Sequence, residues 1–112
     1  MGHTPDLVKF KCKHILLSHR EAEPATHDRT PYMAWIEATI LHGLIEDGKE
    51  KFEDIAYKNS ACASGQHGGD LGWMHELDVV VEFSEAVKRI KIGQLGLPFY
   101  SPCGVHIVWR TG

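Results

Sequence analysis

The sequence predicts an α+β fold, a small sheet with helices packed around it. Three observations point there. Apolar and charged residues alternate near the start of the chain. Helical periods of apolar residues occupy the middle. Short apolar runs broken by Gly and Pro return at the end.

Leu7–Leu17 (LVKFKCKHILL) alternates and then turns continuously apolar, so it reads as a strand more buried at its end. Lys9, Lys11 and Lys13 point one way; Val8, Phe10, Cys12 and His14 point the other. Ser18–Pro31 is polar and shows no period, which predicts a long loop. Tyr32–Asp47 is a predicted helix, with Met33, Ile36 or Glu37, Ile40 and Leu44 recurring at helical spacing and Ala34, Trp35, Leu41 and Ile45 beside them. Thr30 suits its cap, Pro31 its first turn and Gly48 its end. Phe52–Lys58 is a second, short helix built on Phe52, Ile55 and Ala56. Ser60–Gly72 (SACASGQHGGDLG) is rich in turn-forming glycine, and Leu71–Met74 reads as a short strand. Phe83–Ile90 is a third helix with Phe83, Ala86, Val87 and Ile90 on one face, closed by Gly93. Leu97–Ser101 and Val105–Arg110 are strands around a Pro102-Cys103-Gly104 turn.

The chain of 112 residues holds one domain, over 7–112, behind a tail at 1–6 that is native or left from cloning. A formal net charge of −3, with Lys and Arg scattered, predicts no nucleic-acid partner and no acidic membrane surface. No apolar run approaches the roughly 20 residues a membrane span needs. The start, MGHTPDLVKF, lacks the layout of a signal peptide, so the chain as written reads as cytoplasmic. No long apolar seam is left over once the core is assigned, which predicts a monomer. The 3 cysteines include no CxxC pair, which argues against a disulfide framework.

His14, Cys62 and His106 stand where apolar residues are expected, two in strands and one in the Gly-rich turn. A histidine inside an apolar strand is ordinarily a satisfied core residue. Two of them on different strands, with a thiol nearby, open three functional readings. These are a Cys–His nucleophile pair, a Cys/His metal site that could include His67, and a polar network behind a binding pocket. Spacing does not favour zinc, since CxxC, HxxxH and HExxH are all missing. GxSxG and thiol-protease signatures are missing too.

Across Lys13–Thr111 the chain resembles the parvulin (PpiC-type rotamase) family of peptidyl-prolyl cis/trans isomerases. The resemblance lies in KHILL, then Phe52 and Ala56, then SACASGQHGGDLG, then Phe83, Ala86 and Val87, and last GVHIV at 104–108. The Gly-Gly-Asp-Leu-Gly turn together with the closing Gly-x-His-Ile strand is the specific part. The resemblance implies a four-stranded sheet surrounded by about three to four helices. It implies an isomerase without cofactor or metal, acting on proline-containing peptides or unfolded protein clients. A non-catalytic peptide-binding chaperone or adaptor domain of the same fold is the alternative.

The resemblance also implies roles. His14 and His106 match paired histidines behind the active site. Cys62 matches the residue facing the isomerising bond, and Ser101 a hydroxyl beside the histidines. Leu71, Val79 and Phe83 match the apolar wall that receives the proline ring, with Met74 at its edge. Read from pattern alone, Leu71, Val79 and Phe83 are simple core residues. Val79 stands where methionine is usual, and Cys103 has no assigned role. Within Val79-Val80-Val81, part is expected to lie exposed as a peptide-docking patch.

The loop after the first strand carries Arg20 and Arg29 against Glu21, Glu23 and Asp28, with Ser18 where a phosphate-reading lysine is expected. Two isolated, partly neutralised arginines are poor phosphate forks, so no phosphate preference is predicted. His19 and His27 read as solvated.

Overall fold

Residues 7–112 are described by the computed structural model, and the tail at 1–6 lies outside the described residues. The strands are β1 (Lys9–Leu17), β2 (Asp70–His75), β3 (Phe99–Ser101) and β4 (Gly104–Arg110). The α-helices are α1 (Pro31–Glu46), α2 (Phe52–Asn59) and α3 (Val81–Arg89), with short 3-10 turns at Ala63–His67 and Glu76–Asp78. The sheet order is β2-β1-β4-β3, antiparallel throughout. The first and last long strands are thus central neighbours, as their apolar content requires.

Alternation divides the sheet into two faces. Ile15, Leu17, Val105 and Ile107 meet Ala34 and Ala38 of α1 and Phe52, Ile55 and Ala56 of α2. Phe10, Cys12 and Val108 meet Phe83 and Val87 of α3 on the other side. Lys13 stays at the first face without being lost to solvent. Its Nζ lies 2.9 Å from Glu53 Oε1 and 5.1 Å from the Trp109 ring centroid.

Two expectations need correction. Met33 and Ile40 are 57% and 59% exposed and Ile36 is exposed too, so only Leu44 of the stripe assigned to α1 packs against the core, and Ala34 and Ala38 are the helix's buried residues. The helix is apolar on several sides, and the small alanines let its backbone approach the sheet. The third strand begins at Phe99, not Leu97, which is 77% exposed. Pro98 has no N–H to give a ladder. The chain before it joins β4 by single contacts instead, with Gly96 N–H donating to the Val108 carbonyl at 2.8 Å.

The helix ends follow from local chemistry. Thr30 Oγ1 accepts the Met33 N–H at 3.1 Å, capping α1. Arg110 on β4 donates to the Ile90 carbonyl at 3.1 Å, which satisfies the end of α3 from the sheet.

Candidate active site

The α3 side of the sheet opens into a pocket of about 420 Å³. It is lined by His14 and Leu16 from β1, Leu71 and Met74 from β2, Phe83 from α3 and His106 from β4. Cys62, Asp78, Val79, Val80 and Cys103 come from the connecting turns. Seven of the eight sequence-predicted residues therefore meet here, and the eighth, Ser101, stands behind His106. A second depression, of about 480 Å³, lies on the α1 side among Ile45, Glu46, Gly93, Gln94, Leu95 and Trp109. It holds neither thiol nor imidazole.

Strand pairing explains how the histidines meet. His106 lies opposite Leu16 and His14 opposite Val108, so the two imidazoles share a face two residues apart along the ladder. Their ring centroids are 5.7 Å apart and nearly parallel, at 25°. Phe99 stacks on the other side of His106 at 4.9 Å. Phe83 presents itself edge-on, 5.3 Å from His106 and 5.6 Å from His14.

The Gly-rich turn brings the thiol. His14 N–H donates to the Gly69 carbonyl at 2.9 Å. Gly69 has φ +83°, and a Cβ there would lie 2.3 Å from the His14 carbonyl oxygen, so only glycine fits. Ser60 Oγ accepts from Leu16 N–H at 3.0 Å and from Cys62 N–H at 3.3 Å, which pins the turn to β1. Leu71 reaches the wall through a β-bulge. The β1–β2 pairing passes from Cys12↔Gly72 to Lys13↔Asp70 and leaves Leu71 as the extra residue.

Electrostatics separate the three polar groups. Burial first, and then the neighbouring His14, push His106 down to about 3, so its imidazole is neutral at physiological pH. Its Nε2 shares a 2.6 Å hydrogen bond with Ser101 Oγ, and that hydroxyl also accepts the Cys103 backbone N–H at 3.0 Å. The Cys62 thiol is held at about 6, by His14 first, against an opposing effect of burial, with help from Ser64. Ser64 Oγ donates to its sulfur at 3.2 Å. Neither His14 ring nitrogen meets hydrogen-bond geometry with any protein atom. His14 therefore acts on the thiol as a nearby polar group rather than through a formed hydrogen bond. Cys12, deep in the core, is the contrast: burial pushes it up to about 12.

Four lining residues were not anticipated for the site. Leu16 reads as an ordinary apolar position, Val80 only as part of the valine run expected to lie partly exposed, and Cys103 has no role in the sequence reading. Asp78 gave one faint signal, its place three residues after His75, whose N–H its Oδ2 accepts at 2.8 Å in the 3-10 turn. The valine run behaves as expected in exposure, with Val80 and Val81 open and Val79 half-buried.

In the Ser18–Pro31 loop, His27 is exposed as read, but His19 is buried and its Nδ1 accepts the Glu21 N–H at 3.1 Å. Ser18 is buried as well, where its Oγ accepts the Thr26 N–H at 2.9 Å and ties the loop together. Arg29 pairs with Glu37 of α1. Among the described residues no three His, Cys, Asp or Glu side chains cluster as a metal ion would require.

The chain is similar to known proteins in sequence and in fold. The PpiC-type PPIase domain (rotamase) family matches residues 14–112. The isomerase ESS1 of Saccharomyces cerevisiae is 32% identical over 117 residues, covering 94% of this chain and 66% of that protein. The isomerase Pin1 of Malus domestica is 32% identical over 114 residues, covering 93% of this chain and 94% of that one. The solved structure of ESS1 from Candida albicans superposes with a TM-score of 0.87 at 25% identity, over 93% of this chain and 63% of that one. The chain thus spans about two thirds of the ESS1 proteins and nearly all of the apple protein. With the match running from residue 14 to residue 112, a span that holds the stacked histidines, the thiol turn and the apolar wall, the chain belongs to the parvulin, or PpiC-type, family of peptidyl-prolyl cis/trans isomerases.

Proposed function

We propose that this isomerase speeds X-Pro rotation in unfolded or flexible protein segments, by a non-covalent route that needs no phosphate, cofactor or metal. The observation that carries the reading is the single pocket in which an apolar cup backs onto two stacked imidazoles and a thiol.

Peptide C–N rotation is slow because resonance makes the bond partly double, with a barrier of roughly 18–20 kcal/mol. X-Pro bonds populate both isomers yet exchange over tens to hundreds of seconds. At the twisted midpoint resonance is lost, the imide nitrogen becomes a better acceptor and carbonyl charge redistributes. A catalyst must hold the ring and favour that twisted state over both planar ones.

Leu71, Met74, Val79 and Phe83 form the cup for the proline ring. His14, Cys62 and His106 face the bond, with Ser101 orienting His106. Both His14 ring nitrogens and His106 Nδ1 are buried without a partner in the protein. Buried polar atoms ordinarily have partners, so these are groups held ready for an incoming peptide. Fixed polar groups in a desolvated site do not need to reorganise as the bond twists. No bond breaks, so Cys62 acts through its charge and hydrogen bonding rather than by attack on the carbonyl.

Arg29, tied to Glu37, is not free to read a phosphate, which supports unmodified clients. No helix among the described residues is long and apolar enough to cross a membrane. A net charge of −3 supports a protein partner rather than nucleic acid or lipid headgroups. The same reading takes the protein as a cytoplasmic monomer that helps proteins fold, and light scattering at micromolar concentration checks the monomer.

Exchange NMR on Ala-Leu-Pro-Phe with sub-stoichiometric protein tests the function. Cis–trans cross-peaks at short mixing times are the expected result. Folded protein that binds the peptide without exchange would leave the peptide-binding alternative.

A further inference from the structure

Asp78 stands on the pocket wall beside Val79. The His75 N–H holds its Oδ2 at 2.8 Å, so the carboxylate is fixed by the 3-10 turn. It is exposed to solvent, and among the described residues it joins no ion pair. No lysine or arginine lines the pocket. Lys88 of α3 is engaged by Glu76 and Glu85, and Arg29 by Glu37. Arg20 belongs to a separate depression with Ala25, Thr26, His27 and Asp28. The fixed charge that a bound peptide meets on the cup wall is therefore the negative one of Asp78.

We propose that Asp78 sets the charge preference of the site, so that X-Pro segments with lysine or arginine next to the proline are turned over faster than those with an acidic or phosphorylated neighbour. The proposal rests on the isomerase reading above and adds a substrate class to it. A bound cation is drawn to the fixed carboxylate and an anion is repelled. Each effect, partly screened by water, changes affinity by roughly two- to fivefold. Lysine and glutamate peptides should therefore differ by about four- to twenty-fivefold at low salt, through KM rather than kcat. The gap should close near about 1 M salt, where the Debye length falls to about 3 Å.

Exchange NMR on Ala-Xaa-Pro-Phe and Ala-Ala-Pro-Xaa, with Xaa as Lys, Ala or Glu, provides the test. In the wild type the Lys peptide should outpace the Glu peptide at one or both positions. In Asp78→Asn, which keeps an oxygen for the His75 N–H, and in wild type at high salt, the ratio should fall toward one. Equal Lys and Glu rates at both positions, or a ratio unchanged in Asp78→Asn, would overturn the proposal while the Ala peptides still report an isomerase. If folded protein turns over none of the peptides, the isomerase reading falls and takes the charge preference with it.

Discussion

On the α1 and α2 side of the sheet, Ile15, Leu17, Val105 and Ile107 close against alanines, a phenylalanine and an isoleucine, and every buried member of that cluster is apolar. On the α3 side the same two central strands present His14 and His106, with three ring nitrogens buried and unpartnered. Both sides are built by one alternating pattern. One side gains what burial alone provides, roughly 25 cal/mol per Å² of apolar surface. The other accepts desolvated polar atoms, each of which lowers stability by about 1–3 kcal/mol when left unpaired. Stability and chemistry are divided across a single sheet.

Truncation on the dry side should show the largest effect. Ile15→Ala is expected to lose about 3 kcal/mol of stability, by urea unfolding, because Ile15 is fully buried against both helices. Turnover per folded molecule should stay within about twofold. A matching fall in turnover would mean that the faces are not separate.

His106→Phe is the reverse experiment. It fills the same stack with Phe99 and removes an orphaned nitrogen, which offsets the lost hydrogen bond to Ser101, so stability at neutral pH should move by no more than about 1 kcal/mol. Turnover should drop at least roughly tenfold. Acid sharpens this contrast. The folded His106 sits at about 3 while an unfolded histidine protonates near 6.5. Between those values the unfolded chain holds a proton that the folded one does not. Stability thus declines as pH falls from 6.5 toward 3, by on the order of a few kcal/mol, and levels off below that. The variant should lack this decline, as read by urea midpoints across the range. An equally acid-sensitive His106→Phe would show that another group is responsible.

Thiol chemistry distinguishes two cysteines within the α3 side itself. Cys62 should alkylate with a rate that rises with pH through a midpoint near 6, while Cys12, at about 12 and fully buried, stays unreacted in the folded protein. His14→Asn should move the Cys62 midpoint upward. Mass spectrometry of quenched samples reads both, and an unmoved midpoint would remove His14 as the cause.

The smallest effect is expected at the rim. Glu53→Gln breaks the pair with Lys13, but the Glu53 side chain is partly exposed, so its loss should change stability by less than about 1 kcal/mol. A larger change would mean that the edge of the dry face depends on charge.

Most of the fold was legible before the structure. β1, α2 and β4 carry clear periods, and the cap at Thr30 and the stop at Gly48 mark α1. What escaped has identifiable physics. α1 has apolar residues on several sides, so its pattern does not say which side packs, and small alanines rather than large aliphatics face the sheet. Pro98 shortened β3 by taking away a donor. In the site, His14, Cys62 and His106 stood out because polar residues interrupted apolar surroundings. Leu71, Met74, Val79 and Phe83 look like core, and only family resemblance pointed them to a pocket. Asp78 and the bulge at Leu71 left no periodic trace, since single-residue turn geometry is set by tertiary pairing.

β1 and β4 also share a parity. Their even-numbered residues, His14, Leu16, His106 and Val108, face α3, while the odd-numbered Ile15, Leu17, Val105 and Ile107 face α1 and α2. Point substitutions at even positions can retune this site over evolutionary time and leave the opposite core untouched. Insertion or deletion of one residue in either strand exchanges the two sets, sending an imidazole into the dry core and an isoleucine to the substrate. Lineages of this domain are therefore free to vary in letter along these strands but not in length, and length changes should collect in the Ser18–Pro31 loop.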